Sequence, residues 1–162
     1  AHNRIFAGFQ VFSKFLPQQD RYRKLAIQAE SIYVFGVLDI MPPPITNITY
    51  IRLEPQAQLA KEWFLVSSGP SYMSTLATEE QSAAGVPDAE RIFQGVWTFD
   101  DDMVDILNNW LSSAVGATPL QIHAGQRNYS LQAEIVSQTM VRLAKELGSK
   151  KVNFGQEIRN DL

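Results

Sequence analysis

Four aspartates crowd into six positions at Asp100, Asp101, Asp102 and Asp105, and a fifth, Asp39, closes an apolar run farther upstream. Carboxylates in that number could hold a hard divalent cation such as Mg²⁺, which takes oxygen ligands. The chemistry would require the strand ending at Asp39 and the strand running into Asp100 to be parallel neighbours, so that both ends share one sheet edge. The alternative is structural: one aspartate caps the helix that follows, and the others complement its dipole. The second reading is adopted, and no metal site is assigned. No lysine is placed to support a phospho-acceptor pocket around these acids.

Other reactive constellations are missing. The chain has no cysteine, which excludes disulfide scaffolds, cysteine zinc sites, iron–sulfur clusters and thioether-linked chromophores. Its two histidines, His2 and His123, argue against a histidine-rich metal centre. A serine–histidine–acid triad would have to use His123, which lies in a predicted linker, whereas a triad base is held by packed scaffold. None of the nine glycines forms G-x-G-x-x-G or G-x-x-x-x-G-K-[ST], and neither G-x-S-x-G nor H-E-x-x-H occurs. No catalytic residue is assigned, and the chain reads as a non-enzyme.

Aromatic residues are the second signal. Trp63 and Phe64 are adjacent in a predicted strand, as are Val96 and Trp97, and adjacent strand residues point to opposite faces. One of each pair therefore faces a second core or a pocket. Gln10, Tyr22 and Glu62 are polar groups among these aromatics and need partners, which a bound small molecule could supply. The alternative is a hydrogen-bond network of these three holding two helices to the sheet.

The frame for these residues is 162 residues long, with 45% apolar and 19% charged content, an ordinary folded globule. A net charge of −3 is the wrong sign for a general nucleic-acid binder. Apolar stretches are short and broken by Glu30 and Asp39, so no membrane span is expected, and the lack of a charged-then-apolar leader suggests a cytoplasmic protein. The opening Ala1-His2 and the polar end suggest a segment of something longer. Residues 1–119 carry eight basic and thirteen acidic residues, residues 120–162 six and four. This change falls in Gly116-Ala117-Thr118-Pro119 and Gly125, which read as a linker dividing a domain at 1–119 from a tail at 120–162.

Ile5, Phe9, Phe12 and Leu16 are spaced like one face of a helix, broken by Pro17; a second helix follows over 18–30. Residues 31–38 (SIYVFGVL) read as a buried strand, the run Met41-Pro42-Pro43-Pro44 as a stiff surface crossing, and 48–53 and 63–67 as two further strands. Residues 71–80 read as a helix, 81–90 as a loop, 91–99 as a fourth strand, and Met103, Leu107, Trp110 and Leu111 as the face of another helix. This is a mixed α+β sheet of about four strands with helices packed on it. The connection between the first two strands is too short for a helical crossover, so a doubly wound parallel sheet is not expected.

In the tail, Tyr129, Ala133, Val136, Met140, Leu143 and Leu147 are spaced 4-3-4-3-4, a heptad seam that Leu131 and Ile135 widen. Two readings stand: a helix docked on its own core, or a dimer or output helix that leaves the domain. Gly148 is expected to end it, with Lys150-Lys151 suiting the negative end of its dipole.

The segments Phe6-Ala7-Gly8-Phe9-Gln10, Phe15-x-Pro17, Arg21-Tyr22-x-x-Leu25-Ala26, Val34-Phe35-Gly36, Glu62-Trp63-Phe64 with Gly69-Pro70, and Phe93-x-Gly95-Val96-Trp97-Thr98-Phe99-Asp100 together resemble the DICT sensory domain. That family takes its name from diguanylate cyclases and two-component systems. The resemblance covers residues 4–115 and implies a non-enzymatic input module attached to kinases, cyclases or DNA-binding regulators, with a predicted part in light responses for some. It transfers no ligand and no residue set, so the cofactor stays unassigned. Polar or amphipathic residues within these segments, where packing alone favours Leu or Val, are the candidates for a ligand pocket: Gln10, Tyr22, Asp39, Glu62, Trp63, Trp97 and Asp100. The expected function is sensing of a small ligand or partner, passed through the C-terminal helix to an output domain, with homodimerisation through that helix. The alternative is a protein–protein adaptor without a ligand.

Overall fold

The first strand owes its place to having no polar face: in RIFAGFQV, Ile5, Ala7 and Phe9 point one way and Phe6 and Gly8 the other. In the computed structural model, which describes residues 2–83 and 85–160, this segment is strand β1 (Arg4–Val11), buried from Arg4 through Gln10. The expected helix over 5–16 is therefore corrected. A strand buried on both faces lacks two-residue alternation, and its apolar run mimicked a helical period. Two short 3-10 turns, Phe12–Lys14 and Leu16–Gln18, lead into α1 (Gln19–Ala26).

The remaining strands are β2 (Ser31–Val37), β3 (Ile48–Leu53), β4 (Glu62–Ser68), β5 (Ser74–Glu80) and β6 (Phe93–Thr98). They form one six-stranded mixed sheet in the order β3-β2-β1-β4-β5-β6. The architecture is the expected mixed α+β, with six strands in place of four. The first extra strand is β1, the second β5, where a helix over 71–80 was expected. β5 pairs antiparallel with both β4 and β6, and these two ladders override the weak local preference of STLATEE.

β1, β2 and β3 are mutually parallel, while β4, β5 and β6 alternate. The β2–β3 connection has no helix, yet it joins parallel neighbours, contrary to the argument from its length. An extended proline-rich chain advances about 3 Å per residue, so ten residues can retrace a six-residue strand. The Tyr50 hydroxyl donates to the Pro43 carbonyl at 2.7 Å and pins this crossing.

Each face of the sheet carries its own core. One gathers Ile5, Ala7, Phe9, Phe12, Phe15, Tyr22, Ile32 and Val34 beneath α1 and the proline crossing. The other gathers Phe6, Phe35, Phe64, Val66, Met73, Val104 and Leu111 beneath α2 (Asp101–Ala114). Trp63 and Phe64 do point to opposite faces: Trp63 meets Phe9 and Phe64 meets Phe35. One aspartate of the cluster caps α2, as expected, and it is Asp100, its Oδ1 accepting from the Met103 N–H at 2.9 Å. The buried face of α2 is Val104, Asn108 and Leu111; Met103 and Trp110, expected on it, are exposed. Asn108 is buried on that face with its amide donating to the Leu120 carbonyl of the returning chain at 3.0 Å.

Arg4 closes the structure at the start of β1. Its buried guanidinium donates to both carboxylate oxygens of Glu30, to Ser31 Oγ, to Ser112 Oγ and to the Thr118 carbonyl. Arg127, also buried, pairs with Asp105. By its contacts the chain divides into Ala1–Arg127 and Asn128–Leu162. The second unit is the helix α3 (Tyr129–Asn160), which runs through Gly148. A helical glycine costs about 1 kcal/mol, too little by itself to stop a helix, and α3 runs through Gly155 as well.

Two outcomes follow. A Cβ on Gly8 would stand 2.3 Å from the Phe64 ring, so Gly8→Ala should lower stability by about 1–3 kcal/mol in urea unfolding. The Arg4 hydrogen bond holds the Glu30 carboxyl below its ordinary value, against the opposing effect of burial. The unfolded chain thus binds this proton more tightly, and the pair's stabilisation is full above the ordinary glutamate value and lost as pH falls through the folded one. Between about pH 5 and pH 3 the parent should lose more stability than Glu30→Gln.

Candidate sensory cleft

At the C-terminal end of β1 lies a cleft lined by residues from the exit of β1, the turn before β4, the end of β5 and the β5–β6 connection. It measures about 580 Å³, and Gln10, Lys14, Lys61, Glu80 and Arg91 are among its lining residues. Gln10 sits at an irregularity of β1, where pairing with β2 shifts register between Gly8 and Val11. Its φ is 64°, in the left-handed region that side chains other than glycine's rarely occupy. A bulge of this kind re-aims a side chain, and a strained residue persists only where its surroundings hold it.

The surroundings are explicit. Gln10 Oε1 accepts from Arg91 Nη2 at 2.7 Å and from Lys14 Nζ at 3.5 Å; its Nε2 donates to the Lys61 carbonyl at 3.1 Å and to Glu80 Oε2 at 3.2 Å. Both lone pairs and both amide protons are thereby used, which fixes the amide with its oxygen toward the cations. Arg91 also grips Glu80 through two nitrogens, in the forked geometry that guanidinium offers a carboxylate. The Arg91 guanidinium lies 5.1 Å from the Phe93 ring centre, Phe93 stacks on Trp63, and Trp63 meets Phe9 edge-on at 6.3 Å. A ladder of contacts therefore runs from the charged cleft into the core under α1.

Of the sequence candidates, Gln10 lines this cleft and Trp63 reaches it through the Phe93 ring beneath Arg91. Asp39 lies at the same end of the sheet, accepting from the Ser13 N–H at 3.0 Å. What burial it has opposes its charge, but hydrogen bonds from Ser13 and from the backbone of Asp39 and Ile40 outweigh this and keep its carboxyl below the ordinary range. Tyr22 is in the core, edge-on to Phe9 and Phe15, and burial pushes its hydroxyl up to about 12 against the lowering effect of Arg21. Glu62 accepts from Gln58 on its own segment. The alternative network of Gln10, Tyr22 and Glu62 is thus not formed; Gln10 bonds charged groups and the Lys61 carbonyl instead.

Trp97 packs on Phe99. Asp100 follows β6, which runs antiparallel to β2, so Asp39 and the acidic cluster lie at opposite ends of the sheet. In α3, Tyr129, Ala133, Met140 and Leu143 are exposed, Val136 is half-buried, and the side chain of Leu147 lies outside the described residues, as do those of Lys150 and Lys151.

Lys14, Lys61, Glu80 and Arg91 were not anticipated. The signal was present: Glu80 and Arg91 flank a loop containing Gly85 and Pro87, as ends of a hairpin do. Reading 71–80 as a helix concealed it.

DICT, the sensory domain in diguanylate cyclases and two-component systems, matches residues 2–81. The chain carries a DICT sensory domain, in a segment that runs through β1 to β5 and includes Gln10, Lys14, Lys61 and Glu80. No curated protein and no solved structure matches the chain. No helix among the described residues is long and apolar enough to cross a membrane, and none of their His, Asp or Glu side chains group as a metal site would require.

The two roles of Gln10 can be separated by substitution. Gln10→Leu keeps the strained φ and strips the partners of their bonds, which should cost about 1–3 kcal/mol in urea unfolding. Gln10→Gly relieves the backbone and should cost at least about 1 kcal/mol less than leucine.

Proposed function

We propose that the chain is the input module of a signalling protein, sensing a small anionic ligand in the cleft around Gln10. The observation that carries this reading is the strained, buried Gln10 among Lys14, Lys61 and Arg91. Glu80 stands where a ligand carboxylate or phosphate would compete for the Arg91 fork. Displacing Glu80 would disturb the stack of Arg91, Phe93 and Trp63 and so reach the core. Residues 1–119 are the sensing part in this reading, and 120–162 the linker and connector helix. The seam of Tyr129, Ala133, Val136, Met140, Leu143 and Leu147 pairs with a second copy or with an output domain, as a two-state element biased by the ligand. The module works in the cytoplasm and without catalysis. A chromophore held by this chain would be bound without a thioether link, since there is no cysteine.

A second reading, an adaptor without a ligand, is favoured by one observation: Met103, Ile106 and Trp110 form an exposed apolar stripe on α2. Native mass spectrometry of protein purified gently from its own host separates the two. The sensor reading expects a retained small molecule that is lost in the Lys14→Ala/Lys61→Ala variant, with an ultraviolet–visible spectrum reporting any chromophore. Protein that carries no added mass, with an unchanged spectrum in the variant, favours the adaptor.

A further inference from the structure

The two edges of the sheet are guarded unequally. On β3 an exposed Arg52 marks the edge, whereas β6 carries no charged residue from Ile92 to Phe99. Natural edge strands usually carry lysine, proline or a bulge to refuse further pairing, and β6 has none of these. It pairs with β5 in unbroken register, and Val96 is 63% exposed.

The backbone direction is known. The Gln81 N–H donates to the Ile92 carbonyl at 2.8 Å, and these residues are the next opposed pair after Glu80 and Phe93. Ile92 therefore turns its polar groups toward β5, and by alternation Phe93, Gly95 and Trp97 turn theirs outward. We propose that β6 pairs antiparallel with β6 of a second copy, about a two-fold axis at Val96, joining two sheets into one. In that register Trp97 of each copy opposes Gly95 of the other. Both residues have outward backbone groups, so each such pair exchanges two N–H···O=C bonds.

Side chains fit the same register. A Cβ on Gly95 would come 2.3 Å from the Ala77 carbonyl, so this position stays bare and leaves a gap on the Trp63 face of the sheet. The indole of Trp97, 42% exposed, lies on that face and would cover the partner's Gly95. On the opposite face the two valines meet as a pair without direct hydrogen bonds, the closer type of opposition. A second copy is the occupant that suits this edge, because the contact is self-complementary and brings no charge within the paired strands against its like.

The chain's lack of cysteine makes the test direct. Opposed valines of this type bring their Cα atoms to about 4.5 Å, within disulfide reach. Full-length Val96→Cys should cross-link to a covalent dimer under mild oxidant, well ahead of Asn109→Cys, an exposed control on α2. Val96→Lys should shift sedimentation of the full chain toward monomer with its thermal melt unchanged. Cross-linking at Val96 no faster than at Asn109 overturns the proposal, as does a wild-type chain that sediments as a monomer throughout. Monomeric protein that takes up an extended peptide would give the edge to another chain and overturns it equally. A dimer that survives Val96→Lys and dissociates with Leu143→Lys would assign association to α3 instead, and also overturns it.

Discussion

The structure depends on a strand with no solvent face. β1 is central in the sheet, parallel to β2 and antiparallel to β4, and both cores are built against it. Such a strand tolerates polar groups only at its ends, where partners can reach them. Arg4 at one end and Gln10 at the other are those groups. Arg4 answers with donors to Glu30, Ser31, Ser112 and Thr118, tying β2 and the end of α2 to the sheet. Gln10 answers by leaving extended geometry, and its left-handed φ turns the amide to charged neighbours.

That division gives the ends different characters. The Arg4 end is closed, with the chain after α2 laid across it. The Gln10 end carries a cleft, lined by residues from the exit of β1, the turn before β4, the end of β5 and the β5–β6 connection. Charged side chains that are half-buried and mutually satisfied can be rearranged by a competing ion at less cost than a packed core. A sensory domain needs such a place, and the contacts from Arg91 through Phe93 and Trp63 to Phe9 connect it to the largest aromatic cluster.

Much of this was legible before any coordinates. Residues 31–38, β-branched and aromatic between polar flanks, read correctly as a strand, and the aspartate cluster before a helical pattern read as holding its cap, which the structure places at Asp100. Gln10, Tyr22 and Glu62, polar residues among aromatics, stood out together as groups that need partners. The segments that misled were those buried on both faces or paired on both edges. β1 showed an apolar run with a chance four-three-four spacing, and β5 had too little hydrophobic content to declare itself. The proline crossing misled differently: an extended chain covers distance without a helix, so its length did not forbid parallel neighbours.

By itself the sequence determined the class of fold, the lack of thiol chemistry, a helix cap within the aspartate cluster and the set of polar residues among aromatics that includes Gln10, because these follow from side-chain type and short-range spacing. Only the tertiary structure decided what Gln10 faces. Arg91 lies 81 positions away and meets it because β5 and β6 form a hairpin beside β4, a fact of pairing between distant segments. It likewise decided that Asp39 and the aspartate cluster stand at opposite ends of the sheet, since strand order and direction are set by which segments bury each other. Local chemistry is written in neighbouring residues; assembled sites are written in the register between strands.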